Sequence, residues 1–473
     1  MRLTIDKLIR NHLLRPVTSD NLTLSFVVSA LIFLMAQTVT DAHDFRGDAR
    51  LYWSLSSTIW DLSFPQTVRG YVYPLLLSPA RALFDRNIDA GPTLLKLCHS
   101  IIYGYFFAVT LPNLYTKIIG GTTSVAKRVT LALIVSIIFP GLVSYPLSDA
   151  PSFALTVYSM SCVLLAYDKK TVTKKMAYLM MAGLLSYAAY NTRTIYIFSF
   201  AAMAVAVVAI TIGNTWVKTI CLLAFLSGSL IGAAPQMVIN KKYNDNFSPL
   251  ITTGLQGDSL YVSQLMWGLI VDRYETYIEK GKAGGTPVFY ANSRGIEILK
   301  EKGVDLTSPR LSDYVDIALK HPADLLTIYL RHTASALDAR DGDVYTTTPS
   351  YNKSIRSFMY LMIVTLGLTQ LARSLISNKT ISHNRYKVMW LATLTLPCFA
   401  SIPGAVETRF FFPIFCLAYC SLSLESVAHG KLNTNKWQAL IAALLLTSIF
   451  IFVQKSVSNP IHERPESYIQ TVE

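Results

Sequence analysis

Apolar runs recur along this chain so closely that a bundle of membrane-crossing helices is almost the only structure that can accommodate them. A helix needs about 20 apolar residues to cross the hydrocarbon core of a bilayer, and Leu22 to Val39 is the first run of that kind. Others extend over Leu94 to Tyr115, Val129 to Tyr145, Pro151 to Tyr167, Met176 to Tyr190, Thr194 to Ile212, Val217 to Ile239, Ile355 to Ile376, Val388 to Ile402, Phe410 to Leu424 and Leu440 to Val453. Together they predict about eleven spans. Tyr71 to Phe84 is apolar but too short to cross, so it is expected to re-enter or to lie at the interface. Of the 473 residues 52% are hydrophobic and 15% charged, against roughly a quarter charged in soluble proteins. The expected class is an all-α polytopic membrane protein.

The net charge of +13 would suit a nucleic-acid binder, but the basic residues are dispersed in short clusters between apolar runs. That is the pattern by which positive loops orient a membrane protein, so nucleic acid is excluded as a partner and membrane lipid is expected. Arg2, Lys7, Arg10 and Arg15 precede the first run, which ends without a small-residue cleavage pattern. It reads as a retained anchor with its N-terminus inside. The connections holding Lys117, Lys127 and Arg128, Lys169 to Lys175, Lys218, Arg373 to Lys387, and Lys431 with Lys436 then fall on the same side. The other side, periplasmic in a bacterium, receives residues 41–90, the turns at Ser148 to Ala150, Asn191 to Arg193 and Gly404 to Arg409, residues 240–354 and the tail 455–473. This divides the chain into a transmembrane module over 1–239, an outer unit over 240–354 and C-terminal helices over 355–454.

The outer unit, roughly 115 residues, is too long for a plain connection. Tyr314 to Lys320 and Ala323 to Arg340 predict two helices broken at Pro322. Leu325, Leu326, Ile328, Tyr329 and Leu337 would form a face to lie on the membrane, and Gly281 to Ser293 reads as a loop. The six cysteines all lie in or beside apolar segments and read as packing residues.

Chemistry is expected where the first outer loop carries carboxylates, arginines and aromatics, between Asp44 and Leu77. Asp48 precedes Tyr52 by one helical turn, so in a helix over Ala49 to Trp60 the carboxylate and the phenol share a face. Arg69 follows before a Tyr-rich step, which lets a guanidinium meet the carboxylate over one small space. Asp48 also has a plain reading, as a helix cap or a solvated charge. Arg69 has one too, as an anchor reaching for lipid headgroups. Arg193 and Arg409 stand at outer ends of spans, where a lone charge needs a reason, and Glu407 is placed to pair with Arg409. Ser148-Asp149-Ala150-Pro151 is a good helix start, so Asp149 reads as a cap. His321, Arg331 and His332 lack the spacing of a zinc site and read as helix-end and interface residues.

Five stretches, in this order and on one side, carry a resemblance: GDARLYW, RGYVYPLLL, YPLSDAPSFAL, NTRTIYIF and VETRFFFP. They resemble the integral-membrane glycosyltransferases of the GT-C superfamily. Within it the chain is similar to bacterial enzymes that use lipid-linked sugars: aminoarabinose transferases, protein mannosyltransferases and serotype-converting O-antigen glucosyltransferases. YVDIALKHPADLLTIYLRHTASALDAR is also similar to stretches in uncharacterised enzymes of surface-polysaccharide clusters.

The resemblance implies a GT-C-like bundle and transfer of a sugar from an undecaprenyl-phosphate-linked donor to a glycan acceptor. It implies Asp48 as general base, with Asp44 as a second catalytic carboxylate, although the family's pair is often adjacent and these two are not. It implies Arg69, with Arg193 and Arg409, on the donor phosphate, and Tyr52 and Tyr73 on substrate. An acidic residue near Asp149 helps bind a cation in the oligosaccharyltransferase branch, but the helix-start reading is preferred here, and no metal or cofactor is expected. Two other readings stay open, a flippase or transporter of lipid-linked saccharides and an O-antigen polymerase. A transporter would more usually show paired repeats and ionisable residues at mid-membrane.

Overall fold

The computed structural model describes residues 21–40, 45–63, 69–169, 171–211, 213–251, 260–278, 285–304, 306, 310–339, 344–346, 353–377, 381–424, 434–457 and 460–461. The first apolar run forms α1 (Leu22–Thr40), packed against α4 (Ala90–Tyr105) and α6 (Val125–Ile138). Between α1 and α4 lie the short α2 (Gly47–Leu55) and α3 (Val72–Phe84). α4 continues through a wide π turn at Phe106–Thr110 into α5 (Leu111–Ile118). The turn has a local cause. Pro112 has no N–H to give the Ala108 carbonyl, and the buried Arg128 donates to that oxygen instead at 2.7 Å. Arg128, expected in a loop, is therefore a wholly buried residue of α6.

After α7 (Pro140–Ser144) come α8 (Asp149–Tyr167), α9 (Val172–Thr192), α10 (Ile197–Ile210) and α11 (Thr215–Asn244), with α9 packed between α8 and α11. The C-terminal part adds α16 (Lys353–Ser377), α17 (Ile381–Ser401), α18 (Phe412–Leu424) and α19 (Thr434–Lys455). One large apolar core joins both groups through residues such as Phe107, Phe139, Phe153 and Phe412.

The described residues of the runs expected to span are mostly helical, with the run from Val129 to Tyr145 interrupted at Phe139, and six helices in the described residues are long and apolar enough to cross a membrane. They lie within Leu22–Thr40, Ala90–Ile118, Asp149–Tyr167, Thr215–Asn244, Ile355–Ile376 and Trp437–Lys455. The chain is a multi-pass membrane protein by this measure.

The segment between α11 and α16 departs from an all-α fold. It holds α12 (Leu260–Ile270), β1 (Val271–Ile278), β2 (Gly285–Ala291), α13 (Ser293–Lys302), α14 (Leu311–Lys320), α15 (Pro322–Leu337) and β3 (Tyr345–Thr346). β1 and β2 pair antiparallel from Val271↔Ala291 to Ile278↔Gly285. β3 and β4 (Pro460–Ile461) complete a sheet in the order β3-β1-β2-β4. Residues 285–291, expected in a loop, are thus a strand, because tyrosine, phenylalanine and valine there find a partner in β1. α14 and α15 break at Pro322 as expected. The residues expected to share one apolar face are divided: Leu325 and Ile328 pack with Leu269, Phe289, Leu299 and Ile317 in a second core, while Leu326 is exposed.

Candidate active site

Five segments far apart in sequence meet at one end of the bundle: the start of α2, the residues before α3, the start of α8, the end of α9, and the turn before α18. Arg46, with an extended backbone, holds the cap position of α2, and Asp48 lies in its first turn. The Tyr345 hydroxyl anchors this start, donating to the Arg46 carbonyl at 2.7 Å. Asp48 is 31% exposed and shares its carboxylate between two guanidiniums. Arg69 Nη2 donates to Oδ1 at 2.6 Å and Arg409 Nη2 to Oδ2 at 3.0 Å.

Arg69 is held by its neighbours. A Cβ on Gly70 would come within 2.1 Å of the Asn191 carbonyl oxygen, so only glycine lets the backbone pass so close. The Val72 N–H donates to Asn191 Oδ1 at 2.8 Å, Asn191 donates to Gln236 Oε1 at 2.9 Å, and Gln236 donates to Asn240 Oδ1 at 3.0 Å. This buried chain of amides couples the Arg69 segment to α9 and α11.

The ion pairs extend beyond Asp48. Arg409 is bound twice by Glu407, at 2.7 and 2.8 Å, and its Nη1 lies 3.6 Å from Asp149 Oδ2. The other oxygen of Asp149 accepts from Arg193, whose guanidinium stacks over the Phe410 ring at 4.3 Å. Arg69, Arg193 and Arg409 thus alternate with Asp48, Asp149 and Glu407 in one hydrogen-bonded and ion-paired array without net charge. Burial works against the ionised Asp48, but Arg69 and Arg409 outweigh it and hold the carboxyl below the usual carboxylate range. Burial pushes the Glu407 carboxyl up, against the pull of Arg409.

A cavity of about 1530 Å³ opens over this array, lined by Asp48, Tyr52, Arg69, Arg193, Glu407 and Arg409 among others. Tyr52 stands on the wall beneath Arg69, whose guanidinium is 5.6 Å from its ring centroid. Tyr73 is 2% exposed and lies behind Tyr52, edge-on at 5.0 Å, and does not line the cavity. Asp44 lies outside the described residues. Asp149 departs from the cap reading. α8 starts where expected, but Ser148 makes no side-chain cap bond, and the Asp149 carboxylate, 3% exposed, turns to two arginines. Among the described residues no group of three or more His, Cys, Asp and Glu is placed to hold a metal ion.

Asn191, Gln236 and Asn240 were missed in the sequence, though polar residues inside an apolar run are a usable signal. A second buried cluster was missed as well. Arg273 pairs with Asp338 at 3.2 Å and Glu275 at 2.7 Å, and the Asp338 carbonyl accepts from Thr408 at 2.8 Å, next to Arg409. His332 is an interface residue, with its ring nitrogens on the Ile402 and Val271 carbonyls at 2.5 and 2.9 Å.

No protein-family model matches the chain, and no curated protein matches it. Among solved structures it is similar to the oligosaccharyltransferase of Archaeoglobus fulgidus, crystallised with zinc and sulfate, at 15% identity and a TM-score of 0.40. The likeness covers 92% of this chain and 53% of the other, so this chain spans about half the length of that protein.

Proposed function

We propose that the chain is a GT-C-type membrane glycosyltransferase that moves a sugar from a polyprenyl-phosphate-linked donor to a surface glycan, O-antigen or a related polysaccharide. In this reading the donor lipid is undecaprenyl phosphate, about eleven helices cross a bacterial inner membrane, and the cavity and residues 240–354 face the periplasm. One observation carries the proposal: Asp48 is shared between Arg69 and Arg409 on the wall of a large cavity.

That arrangement suits an anionic donor. A phosphodiester entering the cavity competes with Asp48 for Arg69 and Arg409, because a guanidinium fork bonds phosphate oxygens as well as carboxylate oxygens. As the arginines turn to phosphate, Asp48 loses the two cations that suppress its proton affinity and becomes a better base. The acceptor hydroxyl then attacks the anomeric carbon and passes its proton to Asp48 as the bond from that carbon to the phosphate oxygen breaks. Polyprenyl phosphate leaves with one more negative charge, met by Arg69, Arg193 and Arg409. A single displacement inverts the anomeric centre.

The test is purified protein supplied with a radiolabelled polyprenyl-phosphate monosaccharide and an acceptor glycan. Label should move to the glycan, and free polyprenyl phosphate should appear in equal amount. Movement of intact lipid-linked sugar across vesicles, without transfer, would put the transporter reading in its place.

A further inference from the structure

The cavity has a second wall that the transfer chemistry leaves unused. Tyr274 of β1 stacks on Phe289 of β2 with centroids 5.4 Å apart, and Trp267 of α12 meets the same ring edge-on at 5.5 Å. Phe289 is 3% exposed, whereas Trp267 and Tyr274 keep part of their surface open, and all three line the cavity that holds Arg409. Gln264, one turn before Trp267, lines it too. The wall's position is fixed by a backbone contact: a Cβ on Gly268 would lie 2.1 Å from the Pro403 carbonyl oxygen. α12 therefore rests directly on the turn that leads to Glu407 and Arg409.

We propose that Trp267 and Tyr274, buttressed by Phe289, form a stacking platform for pyranose rings of the acceptor glycan, with Gln264 bonding to ring hydroxyls. This assignment of the acceptor rests on the transfer reading above. The face of an aromatic ring carries negative potential and attracts the C–H groups on one face of a sugar. A side-chain amide both donates and accepts, as hydroxyls require. Phe289 already holds both rings, so little conformational freedom remains to be lost on binding. The donor does not need this wall. Its phosphate belongs with the arginines and its tail among apolar helices, whereas the platform stands on the segment with its own core between α11 and α16.

The test titrates full-length protein in detergent with maltohexaose, with glycerol as control, by calorimetry and tryptophan fluorescence. Wild type should bind the hexaose saturably. Trp267→Ala should weaken binding at least about tenfold, and Trp267→Phe, which keeps a ring face and fills the wall, should stay within about threefold. Absence of saturable binding to wild type, or equal affinity in Trp267→Ala, overturns the platform. So does sugar transfer by Trp267→Ala with wild-type dependence on acceptor glycan, a result that leaves the transfer reading standing. Hexaose binding lost in Trp267→Ala, in a protein whose wild type transfers no sugar, keeps the platform as a glycan site and removes the transfer reading.

Discussion

The two ends of α8 treat cations in opposite ways. At its start Arg193 and Arg409 meet Asp149, and Arg409 goes on to Asp48 beside the open cavity. At its far end, roughly 28 Å away at 1.5 Å per residue, cations mostly meet the backbone. Arg128 serves the Ala108 carbonyl, Lys387 serves Ile119 at 3.1 Å, and Lys127 serves Leu424 at 3.2 Å, while Lys117 pairs with Asp168. A carbonyl left bare by a proline, as at Ala108, or at a helix end, as at Ile119 and Leu424, needs a donor and has nowhere to go, so those cations are structural. A carboxylate is an anion that another anion can displace. The comparison teaches that a buried cation's partner tells its work better than its position does.

Four substitutions or conditions test that contrast. Asp48→Asn keeps the volume and most hydrogen bonding but cannot take a proton, so turnover should fall at least roughly 100-fold in protein that remains folded. Wild-type turnover at equal expression would show that the carboxylate end is as structural as the other. Next comes Arg69→Ala, which should raise the KM for the lipid-phosphate donor about tenfold or more, with Arg69→Lys closer to wild type. Unchanged donor dependence below saturation would reassign Arg69 to anchoring. At the other end Arg128→Met should cost about 1–3 kcal/mol of stability by leaving the Ala108 oxygen bare, yet leave kcat per folded molecule alone. A thermal melt and an active-fraction assay separate the two.

The smallest effect is in pH. The Asp48 pKa is depressed by folding, so its contribution to stability is complete above the unfolded value and fades as pH falls through the folded one. The difference in Tm between wild type and Asp48→Asn should therefore be flat from about pH 8 to pH 5 and shrink below about pH 4.

The helices were legible because each apolar run must be buried or face lipid, and length alone separates them. The hairpin was not, since glycines around 281–285 and the mix of tyrosine and threonine give a weak period of two. In the site, Arg193 and Arg409 stood out as charges at the ends of apolar runs, and Asp48 and Arg69 as charges in an aromatic-rich outer loop. Asp149 was hidden because a residue in the first turn of a helix suits a cap and a partner for arginine equally well. Tyr73 was named by the resemblance, which does not carry the direction of a side chain on α3, and packing on Tyr52 turns it from the cavity. The amides Asn191, Gln236 and Asn240 come together only when α9 and α11 pack, which local pattern cannot reveal.

The bond from Arg409 to Asp48 spans 361 positions of sequence, and this has a consequence for how the protein is made. Until residue 409 has been synthesised, Asp48 and Asp149 lack a shared cation, and the opening over them has no complete rim. Chain closure so distant is slow to form, so assembly of the site belongs to the last stage of biogenesis, after the first helices have long since settled in the bilayer.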